Sequence, residues 1–242
     1  MLGDDLGDLL ADRIPRDHSR QTLADALARP AGSVLDLGCG AGDSIDLFRG
    51  LDPGVQWVGA DIADSPEVAA RRRRDAEFVT FDGERLPFDD GSFELVWCKQ
   101  VLEHVRRPAP LAHEVARVLV PGGLLVGSTS QLEAFHSRSV SNWTPYGLTL
   151  LLERAGLRVR ELRPGIDGLT LVTWRALGMP EWFGRWWARE SPLNRMVELA
   201  ACAMRLDART RNQVKLTLCG QFAFVAEREG VRPERGEPGS DA

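Results

Sequence analysis

Residues 34–43 read VLDLGCGAGD, and no other stretch narrows the possible folds so much. A short apolar run with no polar alternation suits a strand buried on both faces, as in a parallel sheet. Gly38, Gly40 and Gly42 follow at every second position, where a tight turn needs backbone freedom and a ligand needs close approach. Residues 41–50 then continue with helical spacing. Strand, glycine turn and helix in this order predict the opening unit of an open α/β sheet.

The same alternation continues along the chain. Strands are predicted over 56–62 (QWVGADI), 77–82 (EFVTFD), 93–99 (FELVWCK), 122–130 (GGLLVGSTS) and 157–162 (LRVREL). Helices are predicted over 66–74, where Ser65 caps and Pro66 takes the first position, over 108–119, and over 144–155 before Gly156. Near the end VKLTL (214–218) and QFAFVAE (221–227) read as a strand pair. The stretch 164–212 breaks the alternation; with Trp174, Trp182, Trp186, Trp187, Met179, Met196 and Met204 it reads as a helical insertion. The expected organisation is a helical cap over 1–30, one α/β domain over 31–228 containing that insertion, and a disordered tail over 229–242 rich in Gly, Pro and charge.

A chain of 242 residues suffices for one well-buried α/β domain. Its net charge of −5 argues against nucleic-acid binding, which works by neutralising phosphates. Cys39, Cys98, Cys202 and Cys219 lack paired spacing, so no metal site is expected and a reducing, cytoplasmic setting is. The acidic N-terminal stretch lacks the features of a signal peptide, and no apolar run reaches membrane-spanning length. The run Arg71–Arg74 reads as a solvated helix face rather than an RNA contact.

Three sites fall at the carboxyl ends of predicted strands, where open α/β sheets bind ligands. The glycine turn follows the first strand. Asp61 ends the second, where a carboxylate takes both hydroxyls of a ribose. Asp82 ends the third, with Gly83 next, suited to an adenine amino group and a ring nitrogen. Each has a plainer reading as a turn or cap residue. The glycine turn alone also suits a dinucleotide, although the third glycine of that fingerprint would fall at Asp43.

Taken together, VLDLGCGAGD, VGADI, FDGERLPFDDGSFELVWCKQVLEHV and LVPGGLLV resemble the class I S-adenosylmethionine-dependent methyltransferases over about 33–130. The resemblance implies a Rossmann-like, doubly wound, mostly parallel seven-stranded sheet with helices on both faces. It implies S-adenosylmethionine as cofactor and S-adenosylhomocysteine as product. Gly38, Gly40 and Gly42 would pack against the methionine portion, Asp61 would hold the ribose, Ile62 would stack on the adenine, and Asp82 and Gly83 would meet its edge. Lys99 and Gln100 would lie by the methionine amino group, with Asp36 contributing indirectly. One departure is Glu94, where the family usually has Asp; that side chain is expected to be structural.

Such chemistry is mainly positioning of a nucleophile in line with an activated methyl group, and a base is needed only where the acceptor carries a proton. His136 is the first base candidate, then His104 and Tyr146, with Glu133 able to orient either. The expected acceptor is a small or medium-sized molecule of secondary metabolism: a natural product, sugar-bearing, quinone-like or lipid-linked. Oxygen is the first choice of acceptor atom because a base candidate exists. The tryptophan-rich insertion is expected to cover the acceptor, and EWFGRWWAR (181–189) offers a membrane contact as a secondary reading. Three other functions remain open: a cofactor-binding partner protein without catalysis, a nicotinamide-dependent oxidoreductase, and an RNA or protein methyltransferase, for which a larger basic surface or an appended recognition domain is expected.

Overall fold

The computed structural model describes residues 9, 31–133, 138–187 and 189–230. Seven strands form one sheet: β1 (Ser33–Leu37), β2 (Gln56–Ile62), β3 (Glu77–Phe81), β4 (Phe93–Lys99), β5 (Leu119–Ser130), β6 (Leu157–Pro164) and β7 (Gln221–Arg228). Their spatial order is β3-β2-β1-β4-β5-β7-β6. Strands β1 to β5 pair in parallel, and β7 runs antiparallel between β5 and β6. The helices are α1 (Ser44–Leu51), α2 (Pro66–Ala70), α3 (Pro108–Val118), α4 (Pro145–Arg154), α5 (Gly168–Ala176), α6 (Pro192–Ala203) and α7 (Ala208–Leu218). The expected sheet is therefore the one observed.

Alternation along the strands divides the core into two layers. Leu35 and Leu37 of β1, Val96 and Cys98 of β4, and Phe222 and Phe224 of β7 pack with Leu111 and Val115 of α3 and Leu148 and Leu152 of α4. On the other face Val34, Leu95, Trp97 and Val225 pack with Ile45 and Phe48 of α1. Phe48 meets Trp97 edge-on at 6.0 Å. Burying each such side chain contributes roughly 1.5–3 kcal/mol.

Two expected elements are corrected. The helix expected over 66–74 ends at Ala70, because Arg71 turns to extended backbone (φ −60°, ψ 122°) and points its side chain elsewhere. The segment VKLTL is not a strand but the last turns of α7, which starts at the cap Asp207, whose carboxylate accepts from Thr210 N at 2.7 Å. Lys215 and Leu216 are both buried, an adjacency that strand alternation forbids and a helix allows. Lys215 is drawn inward by Glu190 (3.1 Å) and Glu198 (3.0 Å).

A candidate cofactor site at the sheet's switch point

Strand order reverses between β1 and β4, since β2 and β3 lie on one side of β1 and β4 and β5 on the other. Crevices form at such a point because the connections leave in opposite directions. A pocket of about 230 Å³ opens there, lined by Asp36, Gly38, Cys39, Asp43, Ser44, Leu47, Trp97 and Lys99.

The glycine turn is held from several sides. Gly38, Gly40 and Gly42 have φ of +70°, +50° and +85°, a region unfavourable to other residues. A Cβ on Gly38 would lie 2.4 Å from Val101 Cγ2, so that position also needs the missing side chain. Gly40 N donates to Asp61 Oδ2 at 2.7 Å, and Ile62 N donates to Asp61 Oδ1 at 2.8 Å. Asp61 thus braces the turn while each oxygen keeps a lone pair for a further donor. Arg71 Nε donates to the carbonyl of Gly40 at 2.8 Å, with its guanidinium 4.0 Å over the ring of Phe78. Arg73 pairs with Asp46 at 2.6 Å. Arg71, expected on a solvated face, is therefore a structural clasp, while the pair of Arg73 stays at the surface.

Asp36 lies at the pocket wall, 4% exposed. Its carboxylate accepts from the hydroxyl of Ser44, which itself accepts from Trp57 Nε1 at 3.1 Å. Burial pushes the Asp36 carboxyl up to about 7; the Ser44 hydrogen bond opposes this, the neighbouring Asp61 adds to it, and Lys99 opposes it. The buried Asp36 carboxyl can meet a ligand's ammonium group, and the exposed Lys99 beside it can meet a ligand's carboxylate.

Asp82 Oδ1 accepts from Glu84 N and Arg85 N, both at 2.8 Å. These donors hold its carboxyl below the usual carboxylate range. The loop after it is pinned to α3: Glu114 accepts from Leu86 N at 2.9 Å, and Arg117 donates to the carbonyls of Leu86 and Phe88. Ile62 is 40% exposed, and a Cβ on Gly83 would come 3.6 Å from it, so the two form one shelf. Glu94 stands at the opposite strand end, accepting from Gly32 N at 2.8 Å, and so ties β4 to the approach to β1.

Beyond β4 a second polar group forms. Gln100 has φ +56°, strained for a side-chain-bearing residue. Oriented to satisfy both ends, its amide nitrogen donates to Glu103 Oε1 at 3.0 Å and its oxygen accepts from the Ser128 hydroxyl. Glu103 is fully buried and accepts from Thr129 Oγ1 at 2.9 Å. The Ser130 hydroxyl lies 3.1 Å from both Glu103 Oε1 and Glu133 Oε2. Glu133 is 2% exposed; it pairs with Arg175 of α5 and accepts from Gln221 Nε2 at 2.7 Å.

The structure thus gathers Asp36, Gly38 and Lys99 around the pocket. Gly40, Gly42, Asp61, Ile62, Asp82 and Gly83 lie along the same sheet edge, while Gln100 turns toward Glu103. His104 is half-buried in the 3-10 turn Leu102–His104, and Tyr146 is 53% exposed on the first turn of α4; neither lines the pocket. His136 and the cap over 1–30, residue 9 excepted, lie outside the described residues, as does most of the tail. Val101, Ser44 and the partners Glu103, Ser130 and Arg175 around Glu133 went unnoticed in the sequence, and Arg71 was read there only as part of a solvated run. Only the density of arginines and the acids flanking β5 hinted at them.

Comparison with known proteins agrees with this geometry. Residues 35–127 match the family model of the methyltransferase domain. A demethylmenaquinone methyltransferase from Beutenbergia cavernae is 41% identical over 121 residues, which cover 49% of this chain and 49% of that protein. The chain spans about half the length, or less, of the curated relatives it matches. Among solved structures, an S-adenosylmethionine-dependent methyltransferase from Mesorhizobium loti superposes with a TM-score of 0.54 at 19% identity, covering 85% of this chain and 95% of that one. The 1,6-didemethyltoxoflavin-N1-methyltransferase of Burkholderia thailandensis, solved with bound 1,6-didemethyltoxoflavin and S-adenosylhomocysteine, gives a TM-score of 0.54 at 18% identity over 94% of this chain and 82% of that one. At these identities the structural likeness shows the fold.

Proposed function

We propose that this chain, which is built on a class I S-adenosylmethionine-dependent methyltransferase domain, transfers the cofactor's methyl group to a small, quinol-like acceptor. The observation that carries the reading is the convergence at one switch point of the braced glycine turn, Asp61 and the buried Asp36 beside Lys99. Asp61 receives the ribose hydroxyls, Ile62 and Gly83 offer a shelf to the adenine, and Asp36 faces the methionine ammonium. The cofactor supplies an electrophilic methyl on sulfur; the chain holds it in line with the acceptor and keeps water out.

The acceptor class is suggested by the named relative, and the polar group around Glu103, Ser130 and Glu133 begins two residues beyond the Val101 that covers Gly38. A quinol that gives a phenolic proton to solvent is nucleophilic at oxygen and at the neighbouring ring carbon. The choice of oxygen rested on His136, so the acceptor atom is a matter for product NMR. The larger reading is tested by calorimetric titration with S-adenosylhomocysteine. Asp61→Ala removes charge-assisted bonds worth roughly 1.5–3 kcal/mol each, so its dissociation constant should rise at least about tenfold. Binding of NADH instead would replace this reading with the oxidoreductase; binding without methyl transfer to any quinol would favour the non-catalytic partner.

A further inference from the structure

Helix α6 buries Ala201 but leaves larger apolar side chains on its solvent face. Its inner face carries Asn194, which donates to the carbonyl of Gly165 at 3.0 Å, and Glu198, which meets Arg211 at 2.6 Å and the buried Lys215 at 3.0 Å. Its outer face carries Met196, 66% exposed, and Leu199, 73% exposed, with Ala200 and Ala203 beside them. Helix α5 repeats the arrangement with Leu169, 65% exposed, and Val172. Aromatic residues lie between the two helices: the guanidinium of Arg185 stacks on Trp182 and Trp186 at 5.4 and 4.6 Å, and that of Arg195 lies 5.8 Å from Trp186. Helices in water bury such stripes, and an exposed one marks a surface that meets something apolar.

Charge decides between partners. Residues 168–218 carry eight basic and four acidic side chains, a net of +4 in a chain whose net is −5, so the remainder stands at −9. Two of the four acids, Glu190 and Glu198, turn inward to Lys215. The acid just past the tryptophan turn, Glu190, is thus neutralised inside the fold. Arg185, Arg189, Arg195 and Arg205 are exposed. Among the described residues no helix is long and apolar enough to cross a membrane, so the contact lies in the plane of a surface.

We propose that the face formed by α5, the tryptophan turn 181–187 and α6 docks on an anionic lipid bilayer. Met196, Leu199, Leu169 and Trp182 enter the headgroup layer, while the arginines meet lipid phosphates. Arg175, on α5, also grips Glu133 just past β5, so the docked face adjoins the polar group at the ligand-bearing edge. The inference stands on this surface and not on the methyl-transfer reading.

The test is co-sedimentation of the full chain with phosphatidylcholine vesicles and with vesicles containing phosphatidylserine. Binding is expected with the anionic vesicles, weakening as salt is raised. Met196→Glu with Leu199→Glu should lower the partition coefficient at least about tenfold, with the melting temperature and S-adenosylhomocysteine affinity unchanged. Three outcomes overturn the proposal. The first is equal binding by the double variant. The second is no binding by the full chain, including the case where removal of residues 1–30 unmasks it. The third is a dimer in sedimentation velocity that the double variant dissociates, which assigns the face to a second copy.

Discussion

Asp36→Asn tests the electrostatics of the pocket without changing its shape. The folded chain holds this carboxyl at about 7, against an ordinary 3.8, chiefly because burial penalises the charged form. Between those values the folded state keeps a proton that the unfolded state has lost. Stability of the ligand-free protein therefore falls as pH rises through that window, by about 1.4 kcal/mol per unit. Over the roughly three units the cost reaches about 4 kcal/mol, complete above pH 7 and absent below 4. Asparagine is isosteric, cannot ionise, and still accepts from the Ser44 hydroxyl. Urea unfolding of both proteins at pH 5 and pH 8 should show the variant's stability relative to wild type improving by about 3 kcal/mol between the two. The double difference cancels any pH-independent effect of the substitution. Parallel pH profiles would refute the reasoning and mean that water reaches Asp36 in solution.

Three further outcomes follow from named contacts. Gly38→Ala puts a methyl against Val101 at φ +70° and should cost about 2 kcal/mol in urea unfolding together with most of the S-adenosylhomocysteine affinity; Val101→Ala in the same chain should recover the clash component only. Arg175→Met removes the guanidinium from the buried Glu133 and should destabilise by about 3 kcal/mol, with Glu133→Gln restoring part of it in the double variant. Lys215→Met leaves Glu190 and Glu198 facing one another without the buried ammonium and should lower stability by about 3 kcal/mol, read from the urea midpoint at constant slope.

The parts legible in the sequence were those with a local cause. Strand β1, the glycine turn and the acids closing β2 and β3 are written in consecutive residues, because alternation, apolar runs and positive-φ glycines act over a few positions. Asp61 and Asp82 could be placed at the ligand edge because parallel strands separated by crossovers put all their carboxyl ends on one side. Tertiary structure decided what depends on partners far along the chain. The segment VKLTL has strand-forming residues, yet Lys215 must reach Glu190 and Glu198, and only a helix delivers it there beside a buried Leu216. Arg71 leaves the helical run to meet the Gly40 carbonyl 31 residues earlier. Glu133 is buried only because Arg175 and Gln221 arrive 42 and 88 positions later. In the same way Glu198 of α6 turns inward because its counter-charges Arg211 and Lys215 lie on α7. A sequence states which side chains are polar; the fold decides which of them find partners, and so which face is left to meet an apolar surface.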